Sequence, residues 1–251
     1  LSINTHIIGQ KYIYIDKVQS TNIELAMLSN HSERPEGLVL RAGFQTGGKG
    51  QFENLWESNN NENLLLSILL KPDFLEIDQV FSLNIAISLA VKDTILFFFP
   101  NQAYIKWSND IILNDKKVSG ILIENNILEK KISKSIIGIG LNVLQQEFKN
   151  SSQATSLAIQ DNLYTFDLEL VYDKLISCLN FRYNELRSGW LVKQKNEYIQ
   201  SLYKRNLDSI FISDQNEFHG KIIGIDSSGR LLIETEHGRQ TYQNGQIKMR
   251  Y

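Results

Sequence analysis

The segment Gln45-Thr46-Gly47-Gly48-Lys49-Gly50-Gln51 sets three glycines and a lysine within four consecutive residues. A missing Cβ lets a backbone approach an anion closely, and the lysine adds charge. Taken alone, the segment reads more readily as an ordinary surface loop. It lacks the Gly-Lys-Ser/Thr ending of a P-loop and the spacing of a dinucleotide fingerprint. A second polar group, Lys106-Trp107-Ser108-Asn109-Asp110, interrupts apolar, strand-like sequence, where polar side chains need partners or a task. The simpler account of Asn109-Asp110 by itself is turn punctuation. Lys117, seven residues beyond Asp110, heads an apolar strand containing Gly120; singly, it is a solvated strand end. Ser20-Thr21-Asn22, with Glu24 three residues after Thr21, has the spacing of a capping box. It marks a helix N-terminus, whose exposed N–H groups suit the polar end of a ligand.

Strands over 11–15, 38–44 and 64–70 and a helix opened by Thr21 have to position these groups. The polar stretch from 45 to 62 predicts a mobile loop between two strands, with Asn59-Asn60-Asn61 as a flexible part of it. Leu83, Ile87, Val91, Ile95 and Phe98 follow helical spacing and predict a core helix. Pieces at 104–107, 111–113 and 118–124 follow hairpin grammar, with Asn114-Asp115 as turn residues, and a further strand over 136–141 ends at Asn142-Val143. Leu168, Tyr172, Leu175, Leu179 and Leu186 share one face of a long helix. From about Arg205 the texture changes to short β segments at 209–212, 220–225, 231–234 and 246–251. The expectation is an α/β or α+β domain over 1–204 and a small β-barrel over 205–251.

The 251 residues are 42% hydrophobic, enough for one substantial core and a small second domain. Net charge is −2, with 26 Lys and Arg scattered among 28 acidic residues, so no basic stripe advertises nucleic-acid binding. Cys178 is the single cysteine, and His6, His31, His219 and His237 are dispersed, which leaves no disulfide framework or structural zinc cluster. A reducing cytoplasm is the expected compartment. The most apolar stretch, 85–99, is broken by Lys92 and Asp93 and reads as a core helix, not a membrane span.

In their order, these groups resemble the biotin–protein ligase family over nearly the whole chain. The family carries a Ser-Thr-Asn helix start (Ser20-Thr21-Asn22) and a Gln before a Gly-Arg-Gly-Arg type loop (Gln45, then Gly48-Lys49-Gly50-Gln51). It continues with Trp-x-Ser (Trp56-Glu57-Ser58), Lys-Trp-Pro-Asn-Asp (106–110), Lys-x-x-Gly-Ile-Leu (117–122) and Gly-x-Gly-x-Asn-Val (138–143). The resemblance implies an α+β fold: a catalytic domain like that of class II aminoacyl-tRNA synthetases, with a mixed sheet and helices, and a small C-terminal SH3-like β-barrel. It implies a two-step reaction in which biotin and ATP give biotinyl-AMP, and a lysine of a biotin carboxyl carrier domain takes the biotin. ATP and Mg²⁺ are the implied cofactors.

By motif position, Ser20, Thr21, Asn22, Gln45, Gly48, Lys49, Gly50, Gln51, Trp56, Lys117 and Gly120 would bind biotin. Lys49, Gln51, Asn109, Asp110, Lys117 and Asn142 would bind ATP or the adenylate. Lys117, Lys49 and Asp110 would be catalytic, with Asp110 also the candidate Mg²⁺ ligand and Asn142 at the adenine edge. Four positions depart from the family pattern: Lys49 and Gln51 stand where arginines are frequent, Glu53 where glycine is, and, more mildly, Ser108 where proline is. Lost bidentate forks and added negative charge predict a loop that holds biotinyl-AMP less firmly. Members that double as repressors carry a DNA-binding domain ahead of the catalytic one. Only 19 residues precede Ser20, which predicts a monofunctional enzyme without operator binding; a monomer or homodimer without nucleic-acid or membrane partners is expected. The rivals are a lipoate or octanoate ligase, whose acyl channel has no ureido ring to satisfy, and a non-catalytic biotin-binding homologue.

Overall fold

A computed structural model of the chain describes residues 6–31, 33–129 and 131–250, with the side chains of His31 and Glu53 left out. Seven strands form the main sheet: β1 (Tyr12–Val18), β2 (Val39–Gln45), β3 (Asn63–Leu70), β4 (Ala103–Lys106), β5 (Asp110–Leu113), β6 (Lys116–Leu128) and β7 (Lys131–Asn142). Their order is β1-β2-β3-β7-β6-β5-β4, with β1 and β2 parallel and the other neighbours antiparallel. The sheet is therefore mixed, and both of its faces are used.

Along β3 every residue is buried, so its nearly continuous apolar run fits a strand covered on both sides. Leu64, Leu66, Ile68 and Leu70 join the large core with Ile137 and Ile139 of β7. That core is filled by α2 (Val80–Phe98) and α4 (Leu168–Arg187), whose Leu83, Ile87, Val91, Leu175 and Leu179 are buried. The opposite face carries α1 (Thr21–His31) over a smaller cluster of Leu25, Leu38, Leu40, Leu69 and Ile136. The helical segment is longer than the expected 85–99: it runs from 77 to 98, 22 residues containing an 18-residue window of mean hydropathy 1.6, long and apolar enough by length and composition alone to cross a membrane. Here it is the central core helix.

Two short helices complete this half, α3 (Leu157–Gln160) and α5 (Leu191–Gln200). Beyond them five antiparallel strands, β8 (Asp208–Ser213), β9 (Asn216–Ile225), β10 (Leu231–Thr235), β11 (Gly238–Tyr242) and β12 (Lys248–Met249), form a sheet of order β11-β10-β9-β8-β12. The last strand is shorter than the sequence suggested, and Tyr251 lies outside the described residues. The Asn59–Asn61 run is tied down where flexibility was expected: Asn61 N donates to Gly43 O at 2.9 Å, Asn59 N to Gln145 Oε1 at 3.0 Å, and Tyr14 Oη to Asn61 Oδ1 at 3.0 Å.

Candidate active site

A cavity of about 170 Å³ opens on the α1 face of the sheet. It is floored by β6 and β7, walled by the start of α1, and roofed by the loop that follows β2. Of the residues expected to act, Ser20, Thr21, Asn22, Gln45, Lys49, Gly50, Gln51, Trp56, Asn109, Asp110, Lys117 and Gly120 all line it. Gly48 stands just behind the lining, where its carbonyl accepts from Trp56 N at 2.8 Å. Asn142 is set apart. It is buried and donates to Thr155 O at 2.9 Å, while its Oδ1 has no partner among the described residues.

The polar end of the cavity is a network in which buried Thr21, Asn22 and Ser67 reach half-buried Gln45 and exposed Glu124. Thr21 N and Oγ1 both donate to Gln45 Oε1, at 2.8 and 3.1 Å. Ser67 Oγ donates to Asn22 Oδ1 at 2.6 Å and lies 2.7 Å from Thr21 Oγ1, and Asn22 Nδ2 donates to Glu124 Oε2 at 2.7 Å. The capping-box expectation for Thr21 is thus corrected. Ser20 is the residue whose carbonyl accepts from Glu24 N, at 3.0 Å, and the Thr21 hydroxyl is engaged in the network instead. Ser67 and Glu124 are members that the sequence reading passed over. Ser67 had a signal, being the hydroxyl in an apolar strand that must bury it and find it partners.

The floor is bare backbone. Gly120 and Gly140 are paired in register across β6 and β7, and a Cβ at Gly140 would fall 2.4 Å from the Trp56 ring. One step along β7, a Cβ at Gly138 would fall 2.4 Å from Asn22 Oδ1. Trp56 Nε1 is buried here without a partner among the described residues, a donor still to be satisfied. The indole occupies floor space, which is one reason why the cavity is smaller than the roughly 300–1,000 Å³ common for ligand pockets.

The charged end depends on a register shift. Ile111 pairs with Ser119 but Ile112 with Lys117, leaving Val118 as an extra residue on β6. Without it, Lys117 and Gly120 would face opposite sides of the sheet; with it, the Lys117 stem runs over Gly120, whose added Cβ would sit 3.3 Å from Lys117 Cε. Lys117 Nζ lies 2.7 Å from Asp110 Oδ1 and 5.5 Å from the Trp56 ring centroid. Asp110 opposes Lys106 across the β4–β5 pair. Burial pushes the Lys106 ammonium down to about 8, against the opposing pull of Asp110 and helped by Lys117, Lys248 and Lys204. Two lysine side chains, Lys106 and Lys117, thus flank one carboxylate. Asn109 is held by its backbone, which accepts from Ile121 N at 3.1 Å, and by its side chain, which donates to Ile121 O. Ser108 O is fixed by Asn84 Nδ2 at 2.9 Å and Tyr198 Oη at 2.7 Å.

Across this site, residues 13–142 match the biotin/lipoate A/B protein ligase family. The chain belongs to that family. Residues 210–250 separately match the C-terminal domain of biotin protein ligases. Among curated relatives, the bifunctional ligase/repressor BirA of Bacillus spizizenii is 30% identical over 98% of this chain and 76% of its own length. The biotin–acetyl-CoA-carboxylase ligase of Paracoccus denitrificans is 25% identical over 92% of this chain and 97% of its own. Among solved structures, the biotin protein ligase of Aquifex aeolicus in complex with biotin and ATP superposes with a TM-score of 0.80 at 25% identity, covering 96% of this chain and 99% of that one. The α+β architecture with its C-terminal β domain is the architecture of these ligases.

Proposed function

We propose that the chain is an ATP-dependent biotin–protein ligase, forming biotinyl-5′-AMP and passing biotin to a lysine of a biotin carboxyl carrier domain. The observation that carries this reading is the joining of two chemistries in one cavity. The network of Thr21, Asn22, Gln45 and Ser67 abuts Gly138, and Lys117 with Asp110 stands over Gly120. The network offers donors and acceptors that suit a ureido ring, whereas the apolar ring of lipoate would make none of these polar contacts. The match of 210–250 to the biotin protein ligase C-terminal domain supports the same choice.

In the first step a biotin carboxylate oxygen attacks the α-phosphorus of ATP. The bond from that phosphorus to the bridging oxygen breaks, and pyrophosphate leaves. Lys117 is suited to accompany the carboxylate as it becomes the anhydride, because its ammonium is already fixed by Asp110 and by the Trp56 ring. Lys49 adds charge from the roof. In the second step the neutral amine of the acceptor lysine attacks the acyl carbon and AMP leaves, with the loop excluding water from the anhydride. Mg²⁺ fits as a passenger on the triphosphate. Among the described residues no group of three His, Cys, Asp or Glu could cage it, yet Asp110 alone suits an ion that takes one or two carboxylates plus substrate phosphates. Bound there, it would neutralise phosphate charge.

Incubation with ATP, Mg²⁺, labelled biotin and a carrier domain tests the reading. Label should appear on the carrier lysine, and Lys117→Ala should slow it by on the order of 100-fold or more. Lipoate transferred in preference to biotin, or undiminished labelling by Lys117→Ala, overturns it.

A further inference from the structure

The roof loop is closed on itself: Gly50 N donates to Asn54 O at 2.7 Å, Trp56 N to Gly48 O at 2.8 Å, and Lys49 bridges Leu55. Its inner side, Lys49 to Gln51 and Asn54 to Trp56, lines the cavity. Its tip is one tight turn, Gln51–Glu53, with Phe52 in the left-handed region at φ 52° and 64% exposed. That tip meets the other end of the chain. Asn244 Nδ2 donates to Gln51 Oε1 at 2.8 Å, across 193 residues of sequence. Beside it, a Cβ at Gly245 would sit 2.7 Å from Cζ of the Phe52 ring, so only a glycine admits the ring this closely. Asn244 and Gly245 are the tip of the turn between β11 and β12, closed by Gln246 N donating to Gln243 O at 3.1 Å and by Gln243 N donating to Gln246 Oε1 at 2.7 Å. A rigid turn of the C-terminal sheet is thus braced against the back of the loop whose front lines the cavity.

We propose that Asn244 and Gly245 are positioning residues: the β11–β12 turn latches the loop over the reacting groups and sets how long the adenylate stays bound. This rests on the ligase reading for its ligand, though not for the contact itself. It also revises the expectation for Gln51. That residue is more than an arginine's absence, because its amide is the loop's half of the latch. Glu53, expected to add negative charge to the loop and to stiffen it, has its side chain outside the described residues.

Two measurements decide it. In the ligand-free protein, amide exchange of 49–55 should speed up in Asn244→Ala and in Gly245→Asn, which keeps a turn-compatible residue but pushes a Cβ at Phe52. In the enzyme loaded with biotinyl-AMP, Asn244→Ala should raise the dissociation rate about threefold to tenfold, the worth of one hydrogen bond, with an unchanged melting temperature. Asn244→Asp should restore most of the retention, since the Gln51 amide can turn its N–H group to a carboxylate. In a Gln51→Ala background, Asn244→Ala should add nothing further. Unchanged loop exchange in both variants overturns the latch, and so does an equal effect of Asn244→Ala with and without Gln51. A wild-type protein that releases no pyrophosphate with biotin and ATP would instead overturn the ligase reading, and the exchange result would still decide the latch.

Discussion

Asn22 Oδ1 occupies the place where a side chain at position 138 would begin, 2.4 Å from that Cβ. The glycine of the Gly-x-Gly-x-Asn motif is therefore required by a neighbour 116 positions earlier in the chain, as the numbering of the two residues shows. Gly138→Ala should displace Asn22 from Ser67 and Glu124 and weaken biotin binding by about tenfold, the worth of one to two hydrogen bonds. Calorimetric titration with biotin measures it, and an affinity equal to wild type would show that Asn22 is not where the ligand is read. At this scale the sequence was informative wherever a motif fixed residue types, as at Ser20 to Asn22 and at Lys117. It was silent on Glu124, which follows an apolar strand segment as any solvated strand residue would. For Asn142 the motif supplied a candidate for the adenine edge, and the fold adds that Thr155 O holds its amide nitrogen while its Oδ1 has no partner among the described residues.

Between elements, α2, α4 and α5 are tied by one guanidinium. Arg182 of α4 binds Asp93 of α2 at 2.7 Å, Glu185 at 2.9 Å and Glu197 of α5 at 2.5 Å, and Lys193 closes the circle on Glu185 at 2.7 Å. Burial alone would raise the Glu185 carboxyl, but hydrogen bonds from Lys193 and Gln194 and the Arg182 charge hold it below the usual carboxylate range. A carboxyl depressed in the folded state contributes stability that is complete above its unfolded pKa, about 4.3, and is lost as pH falls through the lower folded value. Glu185→Gln should cost about 3 kcal/mol at pH 7, the low end for breaking a buried pair, because Asp93 and Glu197 still serve Arg182. The gap to wild type should narrow below about pH 4; chemical denaturation across that range measures it, and a gap that does not depend on pH excludes Glu185 as the titrating group. Helix α5 escaped the sequence because it is only ten residues long and its inward face of Leu191, Tyr198 and Ile199 is interrupted by the buried Gln194, so the apolar spacing is too sparse to stand out. Strand β11 escaped because as an edge strand it is exposed along nearly its whole length and shows no alternation.

At the scale of the molecule, the change of texture near Arg205 is visible in the sequence, but how the two parts hold together is not. Phe211, Ile222, Ile225, Leu231, Ile233 and Met249 of the second sheet belong to the same buried cluster as the residues of α2 and α4. Trp107, within the Lys106–Asp110 motif, donates from Nε1 to Gly229 O at 2.9 Å, and Lys195 donates to Asp226 O at 2.9 Å. A Cβ at Gly229 would fall within 2.1 Å of the Phe81 ring of α2. Contacts over such sequence separations leave no periodicity to read, since each side looks like an ordinary half-buried surface. They tie the charged end of the cavity to the C-terminal sheet through Trp107 and the roof through Asn244. A boundary at 204/205 would then be one of topology and not of stability. The segment crossing it is paired on both sides: Tyr203 N donates to Ile105 O at 2.8 Å and Asn206 N to Ile222 O at 2.9 Å. The whole chain should melt in one transition, and a truncation ending at residue 204 should lose native packing, because it strips the cover from Phe81, Tyr198 and Ile199, which pack in the shared core. Calorimetry of both proteins is the test: two resolved transitions in the full chain, or a truncated form that keeps the wild-type melting temperature, would make the two sheets independent domains.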